Sequence, residues 1–282
     1  MKEIEIQNIS KNFKSVKALD HVSLHIKEHT IYGLLGRNGA GKTTLLNIIN
    51  NRLPADEGTV KMDGVAMTEN DNALKQCFFV SEKMLYPEGM KVKEVFKWTE
   101  QFFHTFDMTY AKKLSEMFGL DTNIKTKNLS TGYQSIFKNI VALSTNVPYI
   151  FLDEPVLGLD AYHRDLFYKV LIEKYSKNPF TIVISTHLIE EVANVIEEVI
   201  IIKNGRIIKN ESIESILKQG YTISGATGTV DSYTANKEVI GADTLGGLKT
   251  AYIMGIPDEN IPVGLEISRM DLQKLFIQLT NI

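Results

Sequence analysis

Cysteine is almost missing. Cys77 is the only one in 282 residues, so no disulfide can form within the chain, and the lone thiol fits a reducing compartment with the ordinary role of a small buried hydrophobe. Long apolar runs are missing too. The longest stretch without a charged residue runs from Asn139 to Leu152, fourteen residues that include Pro148, whereas a membrane helix needs about twenty apolar ones. The chain is therefore not expected to cross a bilayer by itself. Neither sign of charge dominates: the formal net charge is -3, and residues 1–220 carry 27 groups of each sign. The whole imbalance, seven acidic against four basic side chains, falls in residues 221–282. No Lys/Arg run marks a nucleic-acid face, so no nucleic-acid partner is expected. The opening Met1-Lys2-Glu3-Ile4-Glu5-Ile6 alternates like a strand and is not a signal peptide. There is no internal repeat or low-complexity segment.

What the chain does have is Gly36-Arg37-Asn38-Gly39-Ala40-Gly41-Lys42-Thr43-Thr44, between an apolar strand-like run, Thr30 to Leu35, and the helix-like spacing of Leu45 to Asn50. A phosphate-binding loop must lie at such a turn. Glycines let successive N–H groups point inward, and the helix N-terminus adds a favourable potential for anions. Lys42 would reach the β- and γ-phosphates and the Thr43 hydroxyl would ligate Mg²⁺. The fixed positions of this pattern match by chance in roughly one chain in a hundred of this length.

Around this loop residues 1 to about 81 read as short strands, including a Val60, Met62 segment before an Asp63-Gly64 turn and a buried Phe78-Phe79-Val80. From about 83 to 147 the spacing turns helical, through Val92, Val95 and Phe96 and then Leu114, Met117 and Phe118. Two buried strands follow, Tyr149-Ile150-Phe151-Leu152 and Thr181 to Ser185, each ending in polar residues where ligands sit in an open parallel sheet. Glu198 to Lys209 reads as a hairpin turning at Asn204-Gly205. Asp153-Glu154 closes the first of those strands. Asp153 could hold Mg²⁺ and Glu154 could take a proton from water, although two acids before Pro155 could also be a helix cap.

Taken together, these residues resemble the ATP-binding subunit of an ABC transporter, over residues 1 to about 215. Leu129-Ser130-Thr131-Gly132-Tyr133-Gln134 resembles the signature motif, Gly158-Leu159-Asp160 the D-loop, and Ser185-Thr186-His187 the switch histidine, all in the family's order. The resemblance implies an α/β fold: a P-loop NTPase core with an antiparallel β subdomain (residues 1–82 and 148–219), an inserted helical subdomain carrying the signature (83–147), and a small C-terminal α+β domain (220–282). It implies ATP and Mg²⁺ as ligands, Glu154 and His187 as catalytic residues, and Thr43, Glu82 and Asp153 around the metal. Nucleotide contacts would come from residues 36 to 44, from Phe13 stacked on adenine, and from Ser130, Gly132, Gln134 and Asp160 across a head-to-tail dimer, with itself or a related chain. Residue by residue, Phe13 reads equally as core, His187 as a satisfied buried histidine, and Ser130 as a helix cap.

The chain departs from the family pattern twice. Thr131 stands where the signature has its first glycine, and Glu82 stands where the Q-loop offers glutamine. The second places negative charge beside Mg²⁺; its effect on rate has no sign from sequence alone. A short C-terminal domain resembles bacterial ABC-2-type exporters of drugs, peptides or lipid-like substrates. The chain would sit in the cytoplasm, peripheral on the inner face of the membrane, and power a separate membrane subunit. The alternatives are a soluble ABC ATPase acting on ribosomes or DNA and a low-turnover ATP-gated regulator. Near the C-terminus Ser268 and Asp271 read as a capping box opening a helix whose Leu272, Leu275, Phe276 and Leu279 form one apolar face, able to pack on its own domain or on a partner.

Overall fold

The computed structural model describes residues 2–280; Met1 of the expected first strand and residues 281–282 of the expected C-terminal domain lie outside the described residues. The chain opens with β1 (Glu3–Phe13) and β2 (Val16–Lys27), then β3 (Ile31–Leu35) runs through residues 36–41 into α1 (Lys42–Ile49). Next come β4 (Glu57–Met62), β5 (Val65–Ala66), a single turn α2 (Asp71–Leu74) and β6 (Cys77–Val80). Asp63 and Gly64 both take positive φ, 52° and 79°, as the tight β4–β5 turn demands. Helices α3 (Val92–Phe102), α4 (Met108–Met117) and α5 (Thr131–Ser144) follow, then β7 (Tyr149–Asp153), α6 (Ala161–Lys177), β8 (Thr181–Thr186) and α7 (Ile189–Val192). The hairpin β9 (Glu198–Lys203) and β10 (Arg206–Ser212) turns at Asn204 and Gly205, again with positive φ. The chain ends with α8 (Ile213–Lys218), β11 (Gly220–Ala226), α9 (Thr227–Thr234), β12 (Glu238–Leu245), β13 (Leu248–Met254), β14 (Leu265–Arg269) and α10 (Leu272–Thr280).

The central sheet has the order β10-β9-β3-β8-β7-β6, parallel throughout except at β10. Its inner strands are buried on both faces, which is why they read as unbroken apolar runs. Alternate residues feed two cores. Tyr149 and Phe151 join Tyr32, Ile48 and Ile49 against α1 and the antiparallel sheet β2-β1-β4-β5. Ile150 and Leu152 join Val95, Phe96, Phe137 and Phe167 on the side of the helices. The five parallel strands, β9, β3, β8, β7 and β6, thus end with their C-termini at the same edge, between the two cores.

The third sheet, β12-β13-β11-β14, is antiparallel. Val230 of α9 packs on Tyr221, Ile223, Ala251 and Ile253 on one side. Leu272, Leu275 and Phe276 of α10 pack with Tyr252 and with Val192 of α7 in the large core, so the apolar face of the last helix is satisfied by its own chain. The expected capping box is not formed. Ser268 lies in β14 opposite Thr222, where its hydroxyl pairs with the Thr222 hydroxyl. Asp271 caps α10 instead, its Oδ1 accepting from the Lys274 N–H at 2.7 Å. A backbone already committed to a β ladder cannot also supply the helix start.

Candidate functional site

A cleft of about 410 Å³ opens at the C-terminal edge of the central sheet, walled by residues 37–44 together with Glu82, Asp153, Glu154 and His187. The loop at its floor is shaped by close approach. A Cβ on Gly36 would stand 2.7 Å from the Ile202 carbonyl oxygen. One on Gly41 would stand 2.6 Å from the Ala18 carbonyl oxygen, at a φ of +113° that favours glycine. The N–H groups of Lys42, Thr43 and Thr44 begin α1 and have no partners within the helix, so the loop ends in donors and a positive helix pole. The Lys42 ammonium donates to the Gly36 carbonyl at 2.6 Å and to that of Arg37 at 3.4 Å. Burial pushes Lys42 below its usual range, and Glu154 and Asp153 act against that shift.

Asp153, at the end of β7, is buried and accepts two hydroxyl hydrogen bonds: from Thr43 to Oδ2 at 2.7 Å and from Ser185 to Oδ1 at 2.8 Å. Thr43 and Asp153 present hard oxygen donors at one point beside the cleft, a set that suits Mg²⁺ with water and phosphate oxygens completing the shell. No group of three or more His, Cys, Asp or Glu side chains able to hold a metal occurs among the described residues.

Glu154 follows in the left-handed region, φ 49°, with its N–H donating to the Ser185 carbonyl at 2.8 Å. Such a backbone costs of order 1–3 kcal/mol and is held by its surroundings. It points the carboxylate across the cleft, where Oε2 meets the His187 Nδ1 at 2.9 Å and accepts from the Thr186 hydroxyl at 3.3 Å. His187 is half-exposed, which rules out the reading of a satisfied buried histidine. Phe13 is 46% exposed and so is not core; it stands on the Val16 and Ala18 side of the cleft without lining it.

The remaining motif residues lie apart from this cleft within the chain. Ser130 caps α5, its Oγ accepting from the Tyr133 N–H at 3.3 Å. Gly132 touches the neighbouring loop so closely that a Cβ would stand 2.6 Å from the Gly158 carbonyl oxygen. The Gln134 amide donates back to Leu129 O at 3.0 Å, so it serves the end of its own helix. Asp160 caps α6 and pairs with His163 Nδ1 at 2.9 Å. Sequence reasoning passed over Val16, Ala18 and Leu157, which line the cleft, and the buried polar side chains of α5. A lysine inside an otherwise apolar helical run was the available signal for the latter.

Comparison with known proteins agrees with this geometry. The family model described as ABC transporter matches residues 19–157. The ABC transporter ATP-binding protein YtrB of Bacillus subtilis is 29% identical over 189 residues, 67% of this chain and 65% of YtrB. The ABC transporter ATP-binding protein NatA of the same organism is 31% identical over 212 residues, 72% of this chain and 85% of NatA. Import proteins also stand among the relatives: the ribose import ATP-binding protein RbsA of Shouchella clausii is 29% identical over 76% of this chain, which spans 46% of RbsA. Among solved structures, the dimeric MJ0796, a bacterial ABC transporter cassette, superimposes with a TM-score of 0.67 at 27% identity, covering 74% of this chain and 98% of that one.

Proposed function

The chain belongs to the ABC transporter family of ATP-binding proteins and is an ABC ATPase, and from that premise we propose that it powers a separate membrane subunit that exports a drug, peptide or lipid-like substrate. One observation carries the catalytic part of the reading: Lys42, Thr43, Asp153, Glu154 and His187 come from three separate strand ends and meet around one cleft. Lys42 and the α1 N–H groups bind the triphosphate. Thr43 and Asp153 would hold Mg²⁺, and when bound it would supply neutralising charge for the phosphates. Glu154 takes the proton of the attacking water, and His187 holds Glu154 in line and faces the γ-phosphate. Ser130 and Gly132 do not line this cleft in their own chain; in the head-to-tail dimer that the family likeness implies they complete the site of a second copy or of a related chain.

Docking to a membrane subunit is supported by a second groove of about 300 Å³ between β6 and the helices. Leu85, Trp98 and Phe102 stand 64%, 45% and 65% exposed along it, above Phe78 and Phe103. Exposed aromatic side chains in a groove of this size suit the apolar face of a short helix. No helix among the described residues is long and apolar enough to cross a membrane. In the proposed transporter the transport path belongs to the partner chain and the cassette lies at the cytoplasmic face, as the family likeness implies. Export rests on the likeness of the short C-terminal domain to exporter subunits.

The test is a mild-detergent pull-down of the tagged protein from its own cell with mass spectrometry. A multi-span membrane protein recovered in stoichiometric amount is expected. Ribosomal or DNA-bound proteins without any membrane protein would overturn the transporter reading.

A further inference from the structure

Three polar side chains of α5 leave that helix on one face, at spacing i, i+3 and i+4, and all three are buried: Ser135, Lys138 and Asn139. Each holds a loop of the cleft by its backbone. The Ser135 hydroxyl donates to Leu157 O at 2.7 Å and the Asn139 amide to Pro155 O at 2.8 Å, which fixes the segment after Glu154. Lys138 reaches a different loop from the same face. Its ammonium donates to Ser81 O at 2.9 Å and to Glu82 O at 2.6 Å, so two of its three N–H groups are spent on the segment that brings Glu82 to the cleft.

A lysine with only 7% of its surface exposed is costly unless its charge and its donors are answered. Burial lowers Lys138 from its usual range, and Glu82 and Asp153 are the acidic groups that act against this. Lys138 therefore joins three things: the helix that begins at Ser130, the backbone of residues 81–82, and the acidic wall of the cleft.

We propose that Lys138 is a positioning residue for Glu82, fixing the carbonyls of Ser81 and Glu82 to α5 so that the Glu82 carboxylate is held towards the metal side of the nucleotide cleft. The proposal rests on the reading of that cleft as a Mg²⁺–ATP site.

The experiment is equilibrium ATP binding by calorimetry, with and without Mg²⁺, on the full chain and its Lys138→Met, Lys138→Arg, Glu82→Ala and Glu82→Ala/Lys138→Met variants. Loss of a group that orients a metal ligand typically weakens metal binding by about 10- to 100-fold. Lys138→Met should raise the Mg²⁺ concentration for half-maximal enhancement of ATP binding by that factor, while ATP affinity in EDTA stays within about twofold of wild type. Lys138→Arg, which keeps the charge and the donors, should recover most of the loss. In the Glu82→Ala background Lys138→Met should add no further change. Lys138→Gln, which keeps one donor group, replaces the methionine variant if that one does not fold, and is judged by the same criteria. A wild-type Mg²⁺ dependence in the neutral variant, or an equal loss with and without Glu82, would overturn the proposal. Absence of Mg²⁺-dependent ATP binding in the wild-type chain would overturn the nucleotide reading and this proposal together; intact binding with an indifferent Lys138 variant overturns this one alone.

Discussion

Replacing Glu154 by Gln isolates the chemistry of the site from its architecture. Gln has nearly the same shape, can still accept from the Thr186 hydroxyl, and can still pair with His187, so the contacts at 3.3 and 2.9 Å survive in kind. The charge in question faces a half-exposed His187 and contributes at most about 1 kcal/mol to stability, so the melting midpoint should hardly move. Lys42, Thr43 and the loop N–H groups are untouched, which leaves ATP binding in place. What is lost is the acceptor for the proton of the attacking water. A positioned general base accounts for about 10²- to 10⁴-fold in rate, equivalent to roughly 3–5 kcal/mol on the barrier. Single-turnover hydrolysis with Mg²⁺–ATP should therefore fall by that factor, and size-exclusion chromatography in ATP should show an accumulated dimer that dissociates when ATP is withdrawn. A variant that hydrolyses ATP within about threefold of the wild-type rate, folded and nucleotide-bound, would refute Glu154 as the base.

Two other perturbations test the loop and the core. Gly41→Ala puts a Cβ 2.6 Å from the Ala18 carbonyl oxygen at a φ of +113°, so the loop must open. Strain of about 1–3 kcal/mol at that residue should appear as a lower melting midpoint together with loss of ATP binding by calorimetry; unchanged binding would show that the loop does not hold the phosphates. Cys77 is buried and its thiol is pushed up to about 12, so at pH 8 only about one molecule in 10⁴ carries the thiolate. A disulfide reagent should label the folded protein slowly and the urea-unfolded protein at once. Raising the pH towards 12 should speed labelling of the folded form, because the thiolate is the reactive species; rapid labelling at pH 8 would refute the burial.

Much of the fold was legible where a single physical constraint dominates a short stretch. Strands buried on both faces must be apolar throughout, and Tyr149–Asp153 and Thr181–Thr186 announced themselves in that way. Turns that need positive φ at consecutive positions were readable as Asp63-Gly64 and Asn204-Gly205. The third sheet was less legible. β12 is an edge strand whose residues are mostly exposed, so it carries no apolar alternation to read. Ser268 and Asp271 have the spacing of a capping box, and only the pairing of β14 with β11 excludes it.

The sequence by itself determined the identity and order of the chemical groups: a glycine-bearing loop before Lys42 and Thr43, the acidic pair Asp153-Glu154 after a buried strand, and His187 after another. These are local facts, because loop geometry and strand burial depend on neighbours a few residues away. Tertiary structure alone decided that β3, β7 and β8 lie side by side, which carries Thr43 to within 2.7 Å of Asp153 across 110 residues and seats Glu154 against His187. It also decided that Phe13 is exposed, that the last helix packs on its own chain, and that Lys138 turns inward to the Glu82 segment. Sheet order and the direction a buried side chain takes are set by the packing of distant segments against one another, and no local pattern carries that information.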